Sequence, residues 1–410
     1  MSGTDPKSRA TSQGESRWID RYPELGRQPI PVDALFGEEC HARERERIFQ
    51  RCWLFVGRIE EIPAPSGYIV RDIEVCNASI LIVRQDTGDS LTAFHNVCRH
   101  RLNKLVYDNR GRAARFVCRY HGWTYERTGS LHHIPDEQGF YDIDKKDCGL
   151  VPVAVDVWRG FIFINLDPAP RESLMEYLGD VADRLRNYPF EEFTRPVQWS
   201  LEVNADWKLG TYTTLDVYHG EHLHILPTLG GRKAARSGSG SRGRPLNFER
   251  LGRHCRVSSE IELSLDSSVS RPIIELTAQW GEQGCLRPHV ATDHEPNPAA
   301  AHSGAWCIFP NLVLGIYSGY CQTFLFSPLA LHRSRFTSCY LFRNPTTIRD
   351  LAALTAESVI ADNVVAGDLL VAERVQEGIR SRAVKHMHLG EGEVAIRHHY
   401  RVLMNELGSD

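Results

Sequence analysis

No stretch of the 410-residue chain is apolar for the length that a membrane span requires. Basic residues are not in surplus either. Lys and Arg number 48 against 52 Asp and Glu, a formal net charge of -4, which leaves no electrostatic footprint for nucleic acid. The opening residues, MSGTDPKSRATSQGESRW, lack the apolar centre of a secretory signal and read as a polar leader. Paired cysteine spacing is nearly absent. Of eleven cysteines, Cys40, Cys52, Cys76, Cys148, Cys255, Cys285, Cys307, Cys321 and Cys339 have no partner at short spacing, and each reads as a small, buried apolar side chain. An odd count without an export signal argues against a disulfide framework and for a reducing, cytoplasmic setting. Neither nucleic acid nor membrane is expected as a partner. The length allows two or three domains.

The exceptions among the cysteines organise the chain. Phe94 to Tyr125 reads FHNVCRHRLNKLVYDNRGRAARFVCRYHGWTY, with Cys98 and His100 as C-x-H and Cys118 and His121 as C-x-x-H. Two Cys and two His can hold zinc tetrahedrally in a closed structural site. They can also hold a Rieske [2Fe–2S] cluster, with both thiolates on one iron and both imidazoles on the other. Zinc fingers of this composition pair Cys with Cys and His with His. Here each loop offers one of each, so each loop reaches both irons.

Around these loops the pattern is β. Trp53 to Gly57, Tyr68 to Ile73, Ser79 to Val83 and Leu91 to Asn96 are short apolar runs bounded by turns, and Thr128-Gly129 turns another hairpin. Two further β runs flank Arg159-Gly160 before Asp167-Pro168 closes the segment. Ahead of them, Pro31 to Gln50 is mostly helical, with charge-rich Ala42 to Phe49 expected on the surface. Ser173 to Arg186 reads as one amphipathic packing helix, and Phe193 to Val203 as a strand entering a second domain. Ser259 to Leu265, Ile273 to Trp280, Ala305 to Pro310, Leu312 to Ile316, Gln322 to Pro328 and Arg335 to Phe342 read as further strands. Leu351 to Arg380 is a long helix. Strands followed by a long helix indicate an α+β domain. The expected division is 1–48 for the leader and a helix packing on the catalytic domain, 49–168 for a small all-β domain, and 169–410 for the catalytic domain.

The second informative stretch begins at Asn204 and contains Asp216-Val217-Tyr218-His219, His222 and His224. On a regular helix Asp216, His219 and His222 share a face, which favours His219 with His222 as a metal pair. Two His on ferrous iron call for a carboxylate and open positions, the facial triad of non-haem oxygenases. The long helix offers Glu357, Asp362, Asp368 and Glu373.

The CxHR…CxYHGWxY form resembles the Rieske domain of ring-hydroxylating oxygenase alpha subunits, and the resemblance covers the chain from about Phe49 onwards. It implies that Cys98, His100, Cys118 and His121 bind the [2Fe–2S] cluster. It implies a catalytic domain built as a curved antiparallel sheet gripping a helix. That family carries D-x-Y-H followed by a His five positions after the first, which selects His219 and His224 as iron ligands and leaves His222 as the rival. A break near Gly220 and Pro227 would bring His224 round. The family pattern D-x-x-x-x-E-x-x-Q matches Asp368, Glu373 and Gln376, so Asp368 is the expected third ligand of one mononuclear Fe(II). Tyr212 stands where the family often has Asn, and Gly367 where it often has Glu.

The resemblance further implies a terminal oxygenase that hydroxylates an aromatic or other hydrophobic small molecule with O2. Its electrons would come from NAD(P)H through a ferredoxin or reductase. Oxidative demethylation and an electron carrier without oxygenase activity are the alternatives. A homotrimer, with or without a beta subunit, is implied. In it Asp216 would link His219 to His121 of the neighbouring copy's cluster. Trp306, Phe309, Leu312, Ile316, Tyr320 and Phe324 are expected near the cavity, some as plain core. The Gly-, Ser- and Arg-rich 229–246 segment is read equally as a substrate lid or a surface insertion.

Overall fold

The computed structural model describes residues 17–86, 90–223, 245, 247–258, 276, 279–285, 304–317 and 319–408, the side chains of 221 and 222 excepted. No helix among them is long and apolar enough to cross a membrane.

The chain enters through β1 (Ile30–Pro31), α1 (Val32–Phe36) and α2 (Glu38–Glu44), followed by a π-helical turn, Arg45–Phe49. This segment is only partly the surface element expected of its charges, with Glu46 and Arg47 exposed. Glu44 is fully buried, and Ile48 and Phe49 lie in the core. The reason lies in α5, described below, which supplies Glu44 with a cationic partner.

The first large sheet uses β2 (Leu54–Arg58), β3 (Gly67–Ile73), β4 (Ala78–Arg84), β5 (Leu91–His95) and β6 (Arg110–Arg112). A three-stranded sheet of β7 (Arg115–Val117), β8 (Thr124–Glu126) and β9 (Leu131–His133) follows. The chain then returns through β10 (Pro152–Trp158) and β11 (Phe161–Asn165). The seven-stranded order is β2-β11-β10-β5-β4-β3-β6, with every pairing antiparallel. Ile80, Leu81, Ile82 and Val83 are all buried, so β4 is covered on both faces, as an unbroken β-branched and aliphatic run requires. This is the small all-β lobe expected from the sequence.

Ser173 to Arg186 forms two short helices, α3 (Leu174–Leu178) and α4 (Asp180–Arg184), rather than one. Gly179, at φ 45°, separates them. Leu174, Leu178, Val181 and Leu185 are nevertheless all buried, so the apolar spacing served packing across the break.

The second sheet is antiparallel throughout, in the order β12-β18-β17-β16-β15-β14-β13. Its strands are β12 (Arg195–Val203), β13 (Asn247–Leu251), β14 (His254–Ser258), β15 (Gly304–Ile308), β16 (Leu312–Ile316), β17 (Cys321–Ala330) and β18 (Arg333–Phe342). Between β12 and β13 runs α5 (Trp207–Leu215). After the sheet come α6 (Ile348–Arg380), 33 residues long, β19 (His386–Met387) and α7 (Val394–Leu407). Sheet and helices give the α+β catalytic domain that was expected. Ser259 to Leu265 lies outside the described residues. Ile273 to Trp280 is not a strand where it is described, since Leu276, Gln279 and Trp280 are helical. Ile273, Leu276 and Trp280 fall at three- and four-residue spacing, which serves a helix face as well as alternation serves a strand.

Two devices fix α5, one against α2 and the other against α6. Lys208, fully buried, places Nζ 2.5 Å from Glu44 Oε1 and 2.9 Å from Asp206 Oδ1. Trp207 Nε1 donates to the other Glu44 oxygen at 2.9 Å. A lysine without water needs such partners, and they hold its ammonium above the ordinary range against the opposing effect of burial. At the same corner Asn204 donates its backbone N–H to Glu373 Oε1 at 2.8 Å, and Asp206 donates its own to Gln376 Oε1 at 2.9 Å.

Candidate metal centres

The cluster loops have matching backbone designs. In the first, Cys98 N donates to Asn103 O at 2.9 Å and Leu102 N to Cys98 O at 3.1 Å, with Leu102 at φ 60°. In the second, Cys118 N donates to Trp123 O at 2.8 Å and Gly122 N to Cys118 O at 2.9 Å, with Gly122 at φ 75°. Each turn therefore ends on a left-handed residue. Gly122 is the comfortable choice there, whereas Leu102 carries strain. Asn96, fully buried, closes the base of the first loop, accepting from Val106 N and donating to Val106 O, both at 2.8 Å.

The thiols of Cys98 and Cys118 are both buried and influence one another's titration. Burial pushes Cys98 up. For Cys118 burial is outweighed by backbone N–H donors from Tyr120 and His121, together with the Cys98 thiol and the Asn103 amide, and the net shift is down. The His100 and His121 rings are 4.5 Å apart at 66°. His100 stacks on Trp123 at 5.1 Å and 6°, and its Nδ1 is buried without a hydrogen-bond partner. His121 is exposed. Two buried thiols with N–H donors around them, together with two adjoining imidazoles of which one has an orphaned buried nitrogen, form a donor set that fits a Rieske cluster.

Tyr125 adds a contact that the sequence did not disclose. Its hydroxyl accepts the Arg99 backbone N–H at 2.9 Å and lies 3.3 Å from Cys98 Sγ. With its oxygen already accepting, the phenolic proton is free to go to sulfur. Tyr125 stood inside the quoted motif, but only the loop geometry connects it to Cys98.

In the catalytic domain α5 ends at Leu215, so Asp216 and His219 do not share a regular helix face. Asp216, at φ -82° and ψ 118°, has left the helix, and its Oδ1 accepts the Tyr218 N–H at 2.6 Å. This local bond replaces the next helical one. The break thus comes one turn before the expected position at Gly220, where a short helix, Gly220–Leu223, instead begins. The two side chains meet all the same. His219 Nδ1 is 3.2 Å from Asp216 Oδ2, and His219 Nε2 is 3.3 Å from Asp368 Oδ1 on α6. Burial opposes a charge on the ring, but Asp216 and Asp368 outweigh it and hold the imidazole up to about 9. The electrostatics of this point call for a cation, which a divalent metal provides as well as a proton does. Two ligands at about 2.1 Å from one ion at a right angle are roughly 3 Å apart, close to the Nε2–Oδ1 separation.

His224 lies outside the described residues, as does the 229–246 segment apart from Pro245, and nothing is described of the His222 side chain. Among the described residues no three His, Cys, Asp or Glu close on a single ion. A two-iron cluster needs no such common point, and the expected second histidine of the mononuclear site is outside the described set. Of the other carboxylates, Glu373 is bonded to Asn204, Asp362 accepts from Trp199 Nε1 and Tyr340 Oη at 2.8 and 2.7 Å, and Glu357 accepts from Tyr320 Oη at 2.9 Å. Tyr212, where the family often has Asn, is buried against His399 with its hydroxyl unbonded. Trp306, Phe309, Leu312, Ile316, Tyr320 and Phe324 are all buried.

Residues 52–152 match the Rieske [2Fe-2S] domain, and residues 190–409 match the ring-hydroxylating alpha subunit catalytic domain. The glycine betaine monooxygenase oxygenase subunit of Chromohalobacter salexigens is 36% identical over 206 residues, which are 50% of this chain and 45% of that protein. The match thus spans about half the length of that relative. Among solved structures, a quaternary ammonium Rieske monooxygenase superposes with a TM-score of 0.67 at 20% identity, over 91% of this chain and 94% of the other. Naphthalene 1,2-dioxygenase superposes with 0.68 at 23%, over 93% and 92%. At such identities these two establish the fold. The catalytic-domain match alone takes in more than half of the chain, which therefore belongs to the ring-hydroxylating alpha-subunit family.

Proposed function

We propose that this chain is the terminal oxygenase of a Rieske non-haem iron system, inserting oxygen from O2 into a small hydrophobic or aromatic molecule. One observation carries the reading. A Rieske domain is joined to a catalytic domain in which His219 stands between Asp216 and Asp368. When bound, the cluster supplies single electrons and the mononuclear iron supplies activation of O2. Cys98 and Cys118 hold the cluster as thiolates, and His100 and His121 as neutral imidazoles. His219, His224 and Asp368 hold the iron, with His222 as the alternative to His224. Asp216 accepts the proton of His219 Nδ1, which fixes the tautomer and leaves the Nε2 lone pair for the metal that His219 would share with Asp368. The Tyr218 N–H in turn pins the Asp216 carboxylate.

The exposed His121, flanked by exposed Leu102 and Tyr120, supports an assembly in which this rim meets another copy. A head-to-tail ring of three closes such an interface. There Asp216 of one copy reaches the neighbour's cluster histidine and carries the electron path. A ferredoxin or reductase drawing on NAD(P)H is the electron donor, and a reducing cytoplasm suits the eleven free cysteines. Oxidative demethylation is the second reading, favoured by a relative that is a glycine betaine monooxygenase.

The test is electron paramagnetic resonance on anaerobic, dithionite-reduced protein, with iron and acid-labile sulfide counted on the same sample. A Rieske signal with about three irons and two sulfides per chain is expected. Two irons that stay at two after reconstitution would make the chain a carrier, and zinc without a signal would overturn both readings. Co-purification of a small partner would decide for a beta subunit.

A further inference from the structure

α6 presents Glu357 and Asp368 on one face, because eleven residues at about 100° each return to within roughly 20° of the start. Three turns, roughly 16 Å of rise, separate them. Tyr317, at the end of β16, answers to both. Burial raises its phenol, and the charges of Glu357 and Asp368 raise it further, while no Lys or Arg among the described residues acts on it. Yet Tyr317 is 38% exposed. The ring is therefore open to a ligand on the side that its neighbours leave free.

Its surroundings are built to hold it there. Tyr317 stacks on Tyr320 with ring centres 4.7 Å apart at 23°. The hydroxyl of Tyr320 donates to Glu357 Oε1 at 2.9 Å. Gly315 leaves the Tyr317 ring its place, since a Cβ there would come within 2.9 Å of the ring edge and hydroxyl. Glu357 itself is partly buried, and burial pushes its carboxyl up while the Tyr320 hydroxyl pulls it down. No Lys or Arg among the described residues pairs with it. A carboxylate withdrawn from water without a cation is costly, and a ligand that brings the missing positive charge relieves that cost.

We propose that Glu357 and the Tyr317–Tyr320 stack form the subsite for the positive end of a cationic organic substrate, an amine or a quaternary ammonium compound. The word substrate rests on the oxygenase reading above. Aromatic faces attract such cations through their quadrupole, and Glu357 supplies the counter-charge. A methylated ammonium is apolar on its outside, so it also suits hydrophobic walls. A neutral hydrocarbon would leave Glu357 uncompensated. The separation along α6 puts the positive end and the carbon attacked at opposite ends of the molecule.

The test compares choline with its neutral carbon isostere, 3,3-dimethyl-1-butanol, by calorimetric titration of the anaerobic holoenzyme. Choline should bind at least about tenfold tighter. Glu357→Gln should abolish that preference and leave binding of the alcohol unchanged. Tyr317→Leu should weaken choline about tenfold, and Tyr317→Phe should keep it. Equal binding of the two probes, no binding of choline, or a preference that survives Glu357→Gln overturns the subsite. Should Glu357→Gln fail to fold, the Leu and Phe variants of Tyr317 decide alone. Iron, sulfide and the Rieske signal on the same samples keep the two readings apart. A loaded protein with no cation preference loses only the subsite, and a protein without cluster loses the oxygenase reading.

Discussion

Asp206 donates its backbone N–H to Gln376 Oε1 at 2.9 Å, which ties the start of α5 to α6 about two turns beyond Asp368. Since α5 leads into Asp216 and His219, this bond helps set the distance between the carboxylate and the imidazole. Gln376→Leu leaves a buried N–H unsatisfied and should cost about 1–3 kcal/mol in urea unfolding. Iron content should fall while sulfide stays constant.

Lys208→Met strands two buried carboxylates, Glu44 and Asp206. Removing one partner of a buried ion pair costs about 3–5 kcal/mol, and thermal melting should record it. The double variant Lys208→Met with Glu44→Gln should regain part of the loss.

Acid should unfold the protein through three buried histidines. Burial lowers His254 to about 3 and His398 and His399 to about 4. Phe309 N–H donates to His254 Nδ1 at 3.0 Å, which the charged ring could not accept. Below the ordinary value near 6.5 the unfolded chain binds protons that the folded chain refuses, so the contribution of these three histidines to stability declines with falling pH from about 6.5 to 4 and is constant above. Each histidine contributes up to about 1.4 kcal/mol per pH unit. Urea midpoints at pH 7.5 and 5.5 test the sign.

Tyr125→Phe removes the hydroxyl that faces Cys98 Sγ. A hydrogen bond to the sulfur favours the reduced, more negative cluster, so its loss should lower the potential. The expected shift is about 40 mV, the one-electron equivalent of a net hydrogen bond of about 1 kcal/mol. Protein-film voltammetry of the variant beside the parent protein gives the sign directly.

Asp216→Asn keeps the shape but weakens the hold on His219 Nδ1. Both metals should remain bound, and single-turnover electron transfer should slow about 10- to 100-fold. Transfer at the parent rate would remove Asp216 from the electron path.

What could be read in advance followed how local each feature is. The two Cys and two His sit in two contiguous loops, so the candidate set and its mixed pairing were visible in 32 letters of sequence. Strands of the second sheet were visible as short apolar runs, and Leu312 to Ile316 was placed to the residue. The break at Asp216 was hidden, because Val217 and Tyr218 carry no Gly or Pro and the cause is a side chain taking a backbone bond. Lys208 and Glu44 are 164 positions apart, and no local pattern separates a buried lysine from a surface one. Glu357 was visible only as one carboxylate among several on a helix, since having no cationic partner among the described residues is a property of the packed environment.

Segments distant in sequence meet, Ile30–Pro31 against His386–Met387 and the Trp18 N–H on Glu391, whereas the core beneath the cluster draws its buried residues, among those described, from Tyr68 to Leu150. During synthesis on a ribosome this difference becomes an order of events. The cluster lobe can close on a nascent chain that has not yet reached α5. The catalytic sheet must wait for α6, for its bond to Asp206, and finally for the strand that clasps the beginning of the chain. The core under the half that stores an electron can therefore close before the half that would spend it has been made, whereas the other face of its sheet, with Ile80 and Ile82, waits for the larger core.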